Sequence, residues 1–253
     1  MTMRRWVMGA VALALALAAP TAPAMAQDDK AWSLDVGADY STHYLFRGVP
    51  LLGDNEVLIP NATFTVGGFS AYYYGYRGDI PADFTLSGLE TPYNEDDFGA
   101  DYTFSIGEKF SLTLGGVAYM YSNRTTEEYE SEDTYELYAI ASFDVFLAPT
   151  VSYWHDMDAY EGGYMQVGIS SSIPLGDKAS IDWSAALGVD FGYNDADTNG
   201  DLNDLLVGID IPVQITDWFA IHGMVQQSFA LDVLEDLGVD DETVFTGGVT
   251  FSF

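Results

Sequence analysis

Ser180-Ile-Asp-Trp-Ser-Ala-Ala-Leu-Gly-Val-Asp-Phe-Gly-Tyr193 decides the fold. Its odd positions, Ile181, Trp183, Ala185, Leu187, Val189, Phe191 and Tyr193, are all apolar. Its even positions, Ser180, Asp182, Ser184, Ala186, Gly188, Asp190 and Gly192, are small or acidic. A strict period of two places these sets on opposite faces of a β-strand. Aromatics gather toward the ends of the apolar face, and no Lys or Arg interrupts it.

The same design recurs outward along the chain. Trp32 to Phe46 sets Trp32, Leu34, Val36, Ala38, Tyr40, Tyr44 and Phe46 against Ser33, Asp35, Gly37, Asp39 and Ser41. Asp97 to Ile106 sets Phe98, Ala100, Tyr102, Phe104 and Ile106 against Asp97, Gly99, Asp101, Thr103 and Ser105. About twelve strands follow: 32–46, 56–66, 69–76, 97–106, 110–121, 133–143, 147–154, 162–173, 179–193, 205–213, 218–229 and 243–253, with ten to fourteen as the range. Short turns at 67–68, 107–109, 144, 175–178 and 214–217 alternate with longer polar segments at 47–55, 77–96, 122–132, 155–161, 194–204 and 230–242. An even strand number, strands of roughly ten residues and alternating connections predict an all-β, antiparallel, up-and-down transmembrane β-barrel. A soluble barrel would hide its apolar face inside and carry mixed charge outside. Here the apolar face is almost free of charge, so it belongs against lipid, and closure is then obligatory because an open sheet edge cannot be satisfied in hydrocarbon.

Both chain ends agree with a membrane destination. Arg4 and Arg5 precede an apolar run from Trp6 to Ala19, and Ala24-Met25-Ala26 offers a cleavage site, so residues 1–26 read as a secretory signal peptide. The run is shorter than the about 20 residues of a spanning helix. The barrel then occupies 27–253. Its last residues, Thr246-Gly-Gly248-Val-Thr-Phe251-Ser-Phe253, alternate to a terminal aromatic and resemble the strand by which outer-membrane barrels are recognised for assembly. Thr246, Gly248, Phe251 and Phe253 are the residues of that signal. The expected location is the outer membrane of a Gram-negative bacterium, with lipid, lipopolysaccharide and the barrel assembly machinery as partners.

Composition narrows the function. All 39 acidic residues lie after the cleavage site, against six basic ones: Lys30, Arg47, Arg77, Lys109, Arg124 and Lys178. A chain so acidic lacks the basic face that nucleic acid needs. There is no cysteine, hence no disulfide, zinc thiolate or thiol nucleophile. The face opposite the apolar one carries Asp35, Asp39, Asp97, Asp101, Glu136, Asp182, Asp190 and Asp210, with Arg47 as the one base. Rings of carboxylates favour cations through a pore. About eight strands enclose a filled interior and sixteen leave an aqueous channel, so twelve predict a narrow one. The leading expectation is a porin-like, cation-preferring channel for small solutes. Arg47 is expected to pair with Asp35 and Asp39 on the lumen wall, with Phe46 in the outer aromatic belt. Among the long connections, 77–96 is the best suited to fold inward as a constriction.

Two other readings stay open. An outer-membrane lipase or protease would need one of His43, His155 or His222 as a base, and no G-x-S-x-G elbow is present. A structural or ion-binding barrel without a conducting pore would use its acidic loops. Asp195-Ala-Asp197-Thr-Asn199-Gly200-Asp201 matches the first half of a calcium loop, yet Leu206 stands where the closing Glu belongs. Calcium at Asp195, Asp197, Asn199 and Asp201 is therefore the one cofactor considered. Glu127, Glu128, Glu130, Glu132 and Asp133 add charge that divalent cations could screen against lipopolysaccharide phosphates.

Ser41-Thr-His-Tyr44-Leu-Phe46-Arg47-Gly48 resembles the signature, ending in Phe-Arg-Gly, that opens a family of small Gram-negative proteins classed as porins (the TorF or Gcw-type family). Its place also matches, late in the first strand and before an outer loop. Val49-Pro50-Leu51-Leu52 departs from the family, which more often has Ser-Gln and further polar residues there. The resemblance implies a porin.

Overall fold

The computed structural model describes residues 31–85, 88–122 and 133–253. The expected signal peptide, 1–26, and the glutamates at 127–132 lie outside them. In chain order the strands are β1 (Trp32–Ser41), β2 (Leu45–Phe46), β3 (Val49–Pro50), β4 (Val57–Val66), β5 (Phe69–Ile80), β6 (Thr91–Ile106) and β7 (Phe110–Ser122). There follow β8 (Thr134–Phe143), β9 (Thr150–Asp156), β10 (Gly163–Pro174), β11 (Ser180–Phe191), β12 (Asp201–Thr216), β13 (Phe219–Ala230), a short helix α1 (Asp232–Leu237) and β14 (Glu242–Ser252). All but β2 and β3 form one closed antiparallel barrel of twelve strands, each paired with its chain neighbours.

The seam joins β1 to β14, in register from Asp35 opposite Ser252 to Ser41 opposite Thr246. Phe253 continues the pairing: its N–H donates to the Leu34 carbonyl at 2.9 Å, and the Leu34 N–H donates back at 3.2 Å. Both ends of the described chain therefore lie at the end of the barrel with the short turns, here the turn end. The opposite rim, with the longer connections, is the loop end.

Parity sorts the side chains as the alternation requires. Val36, Phe98, Leu114, Leu137, Val167, Ile209 and Val249 stand exposed on the outer wall. Aromatics frame this belt. Trp32 and Trp218 lie at the turn end, with Trp218 stacked on Phe251 at 5.9 Å, while Tyr40, Tyr135 and Tyr153 lie nearer the loop end. An apolar wall edged by Trp and Tyr is the exterior of a barrel in lipid. No helix of the described residues is long and apolar enough to cross a membrane.

Strand ends differ from the expected ranges. The first strand stops at Ser41 rather than at 46, whereas β5, β6 and β12 run on to Ile80, back to Thr91 and over Asp201–Thr216. The extensions lie above the apolar belt, where the outer wall turns polar: Arg77 on β5 pairs with Asp96 on β6, and Tyr73 donates to the same carboxylate at 2.7 Å. The ladder of backbone hydrogen bonds continues regardless of what the outer side chains are, so alternation alone marks the belt and not the whole strand.

Candidate functional site

The segment from Thr42 to Glu56 turns into the lumen. Ser41 begins the turn by donating its hydroxyl to the His43 carbonyl at 2.8 Å. β2 and β3 then form a small hairpin, with Phe46 opposite Val49. Its two central residues, Arg47 (φ 47°) and Gly48 (φ 82°), both occupy positive φ, the geometry of a type I′ turn. Gly48 is required for a second reason: a Cβ there would overlap the Leu234 side chain of α1. Tyr44, Phe46, Leu51 and Leu52 are all buried. Full burial of such side chains stabilises by about 1.5–3 kcal/mol each, which is why so apolar a loop does not remain in water.

Two wall carboxylates hold this inner hairpin. Arg47 donates to Glu136 of β8 at 2.8 Å, and Glu136 also accepts from Tyr119 at 3.0 Å. Around the guanidinium stand the rings of Tyr193, Phe46 and Tyr164, with centroids at 3.9, 4.7 and 4.8 Å. These are distances at which a desolvated cation is attracted to an aromatic face. Tyr44 stacks on Tyr76 at 4.4 Å and donates to Glu95 of β6 at 2.9 Å, a carboxylate shared with Tyr93 and Tyr121. A third tie comes from β12. Its register against β11 shifts between Leu187 and Val189, so that consecutive Asn203 and Asp204 are both buried. Such an irregularity re-aims a side chain: Asn203 donates to the Arg47 carbonyl at 2.8 Å, and Asp204 accepts from Tyr164.

Three expectations are corrected here. Phe46 lies inside the barrel, 2% exposed, because the chain bends inward at Thr42 and the outer parity of β1 no longer applies. Arg47 points inward but pairs with Glu136, since the hairpin carries it across the lumen, away from Asp35 and Asp39. The inward segment is 42–56 rather than 77–96, of which 77–80 and 91–96 belong to the wall. Glu95, Tyr93, Asn203 and Asp204 were not singled out from sequence. A usable signal existed in Tyr44, Phe46, Leu51 and Leu52, which are too apolar for an outer loop.

Below the hairpin the wall is polar and partly open. Asp35 accepts from Ser252, Asp182 from Ser172, and Asp101 from Tyr138. Asp97 lies higher and is wholly buried. Asp190 is buried at the loop end, where it accepts from the Asn194 N–H at 2.9 Å and from the Thr198 hydroxyl, closing the 192–200 loop. His222 of β13 bridges Asp39 of β1 and Asp210 of β12 at 3.0 Å each. It reaches Asp39 across β14 because Gly248 intervenes; a Cβ there would overlap both partners. His43 meets Glu242 at 3.2 Å, and His155 stands beside Tyr153. Both nitrogens of His222 are thus committed to carboxylates.

The loop 195–201 is a tight polar turn. Asp195 accepts from the Asp197 N–H at 3.0 Å and Asp201 from the Asn199 N–H at 2.9 Å, so these carboxylates close local turns. Among the described residues no three His, Asp or Glu side chains are grouped to hold a metal ion. Thr246, Gly248 and Phe251 lie on the seam strand and Phe253 directly follows it, the first two facing Ser41 and Asp39, and Phe251 against Trp218 and Phe219.

No protein-family model matches this chain, and no curated protein matches it in sequence. In fold it is similar to the KdgM porin, with a TM-score of 0.54 and 14% identity over 87% of this chain and 99% of that one. The NanC porin gives 0.52 and 13% over 86% and 98%. A KdgM porin in complex with disordered oligogalacturonate gives 0.51 and 13% over 87% and 99%. At these identities the likeness is one of fold.

Proposed function

We propose that the chain is a porin-like channel of the Gram-negative outer membrane, narrow and cation-preferring, in which the inner hairpin forms the constriction. The observation that carries this reading is the charge of the lumen beneath the hairpin. Asp35, Asp39, Asp101, Asp182 and Asp210 line that wall. Arg47 adds no free positive charge, being neutralised by Glu136 and enclosed by aromatic rings. An entering cation therefore meets an excess of carboxylates, His222 offsetting only one of the Asp39 and Asp210 pair, and an anion is repelled. The porin fold of the structural neighbours supports a channel, as does the resemblance of the Ser41–Gly48 segment to the TorF or Gcw-type family. Small solutes enter on this reading from the side of the longer loops, whose acidic rim would face lipopolysaccharide. The reversal potential across a planar bilayer in a salt gradient tests the proposal. Cation preference is expected; anion preference would refute the charge argument, and absence of current would leave a sealed barrel.

A further inference from the structure

We infer that small cations pass the inner hairpin through a cavity against the β13–β14–β1 wall, where Asp39 is the carboxylate they meet. The inference rests on the channel reading above and assigns its path and selectivity residue.

The hairpin does not sit centrally. Its carboxylate anchors, Glu95 and Glu136, belong to β6 and β8, and the rings around Arg47 include Trp154 of β9 and Tyr164 of β10, while Asn203 adds a tie from β12. On the opposite side a cavity of about 60 Å³ remains between the hairpin and the wall, on a scale where about 10–15 Å³ admits one water. Its lining includes Asp39, Ser41, His43, His222, Gln226 and Thr246 from the wall side, with Tyr44 and Leu45 of the hairpin segment facing them.

Two features point to a cation. Asp39, Ser41, Gln226 and Thr246 offer carboxylate, hydroxyl and amide oxygens, the hard ligands that replace water around alkali and ammonium ions. The two ends of the cavity are each marked by a histidine on a carboxylate: His43 with Glu242 toward the loop end, and His222 with Asp39 and Asp210 toward the turn end. An imidazole with a carboxylate acceptor on each nitrogen donates from both, as an imidazolium does. That trio therefore retains one net negative charge, with His222 and Asp39 meeting over Gly248. The space admits a small ion with few waters and excludes a sugar-sized solute.

The absence of cysteine makes the path directly testable. Gln226→Cys and Thr246→Cys introduce one thiol into the cavity, and Gln166→Cys places one on the opposite wall, where Gln166 of β10 is buried. Silver ion, a thiol-reactive cation of alkali size, is added to each variant in a planar bilayer, after heat-modifiable gel mobility has shown that the barrel is folded. Silver is expected to remove most of the current of the two cavity variants and none from Gln166→Cys or the parent. Asp39→Asn is expected to move the reversal potential toward zero. Unaltered current at both cavity positions, or equal block at Gln166→Cys, overturns the path. A parent protein that passes no current overturns the channel reading itself, so the two failures are distinct.

Discussion

At the loop end of the lumen, inward-facing Tyr76, Tyr119, Trp154 and Tyr164 are buried against the inner hairpin. At the turn end, inward-facing Asp35, Thr103, Ser172 and Asp182 keep part of their surface open. Both sets obey the same two-residue period. Parity thus dictates which way a side chain points but not whether the space it enters is filled. Filling is decided by side-chain volume and by a connection long and apolar enough to fold back. Large aromatics and a returning hairpin make the loop end a protein core; small polar residues leave the turn end as a channel wall.

The largest break affects both halves. Deleting Phe253 removes the last backbone bonds across the seam, to Leu34. Assembly in the outer membrane should fall sharply, read as loss of the heat-modifiable band, and normal assembly would count against the seam as the closing step. Arg47→Ala separates the halves. It leaves Glu136, which is 0% exposed, without its cation; breaking a buried pair in this way costs about 3–5 kcal/mol. The hairpin should leave the lumen and conductance rise, while the barrel wall stays folded.

The barrel was legible in the sequence because lipid on one side and a polar lumen on the other force an unbroken alternation, as in Ser180–Tyr193. The hairpin was not, because Tyr44 and Phe46 continue the outer parity of β1 in the sequence while Ser41 and His43 bend the chain in space. Arg47 was recognisable as a lone inward cation. Its partner was not, since Glu136 lies 89 residues away and is reached across the lumen. In the loop 195–201 the spacing was legible in the sequence, and the structure adds that Asp195 and Asp201 accept N–H groups of their own turns.

Smaller changes sharpen the contrast. Tyr44→Phe removes one hydroxyl from Glu95, which keeps Tyr93 and Tyr121, so the loss should be about 1 kcal/mol. It should appear as a slight drop in the temperature at which gel mobility changes, with conductance nearly unaltered. Asp182→Asn at the turn end should leave that temperature unchanged, within about 0.5 kcal/mol, yet weaken cation preference. A stability loss there as large as at Arg47 would erase the distinction between core and channel wall.

The central claim is that the inner hairpin is the constriction of a conducting barrel. The most direct test compares single-channel conductance of the parent with a variant in which residues 45–50 are replaced by a short glycine-serine link. The account predicts a small parent conductance and a severalfold larger one without the hairpin. Equal conductances, or none in either, would contradict it.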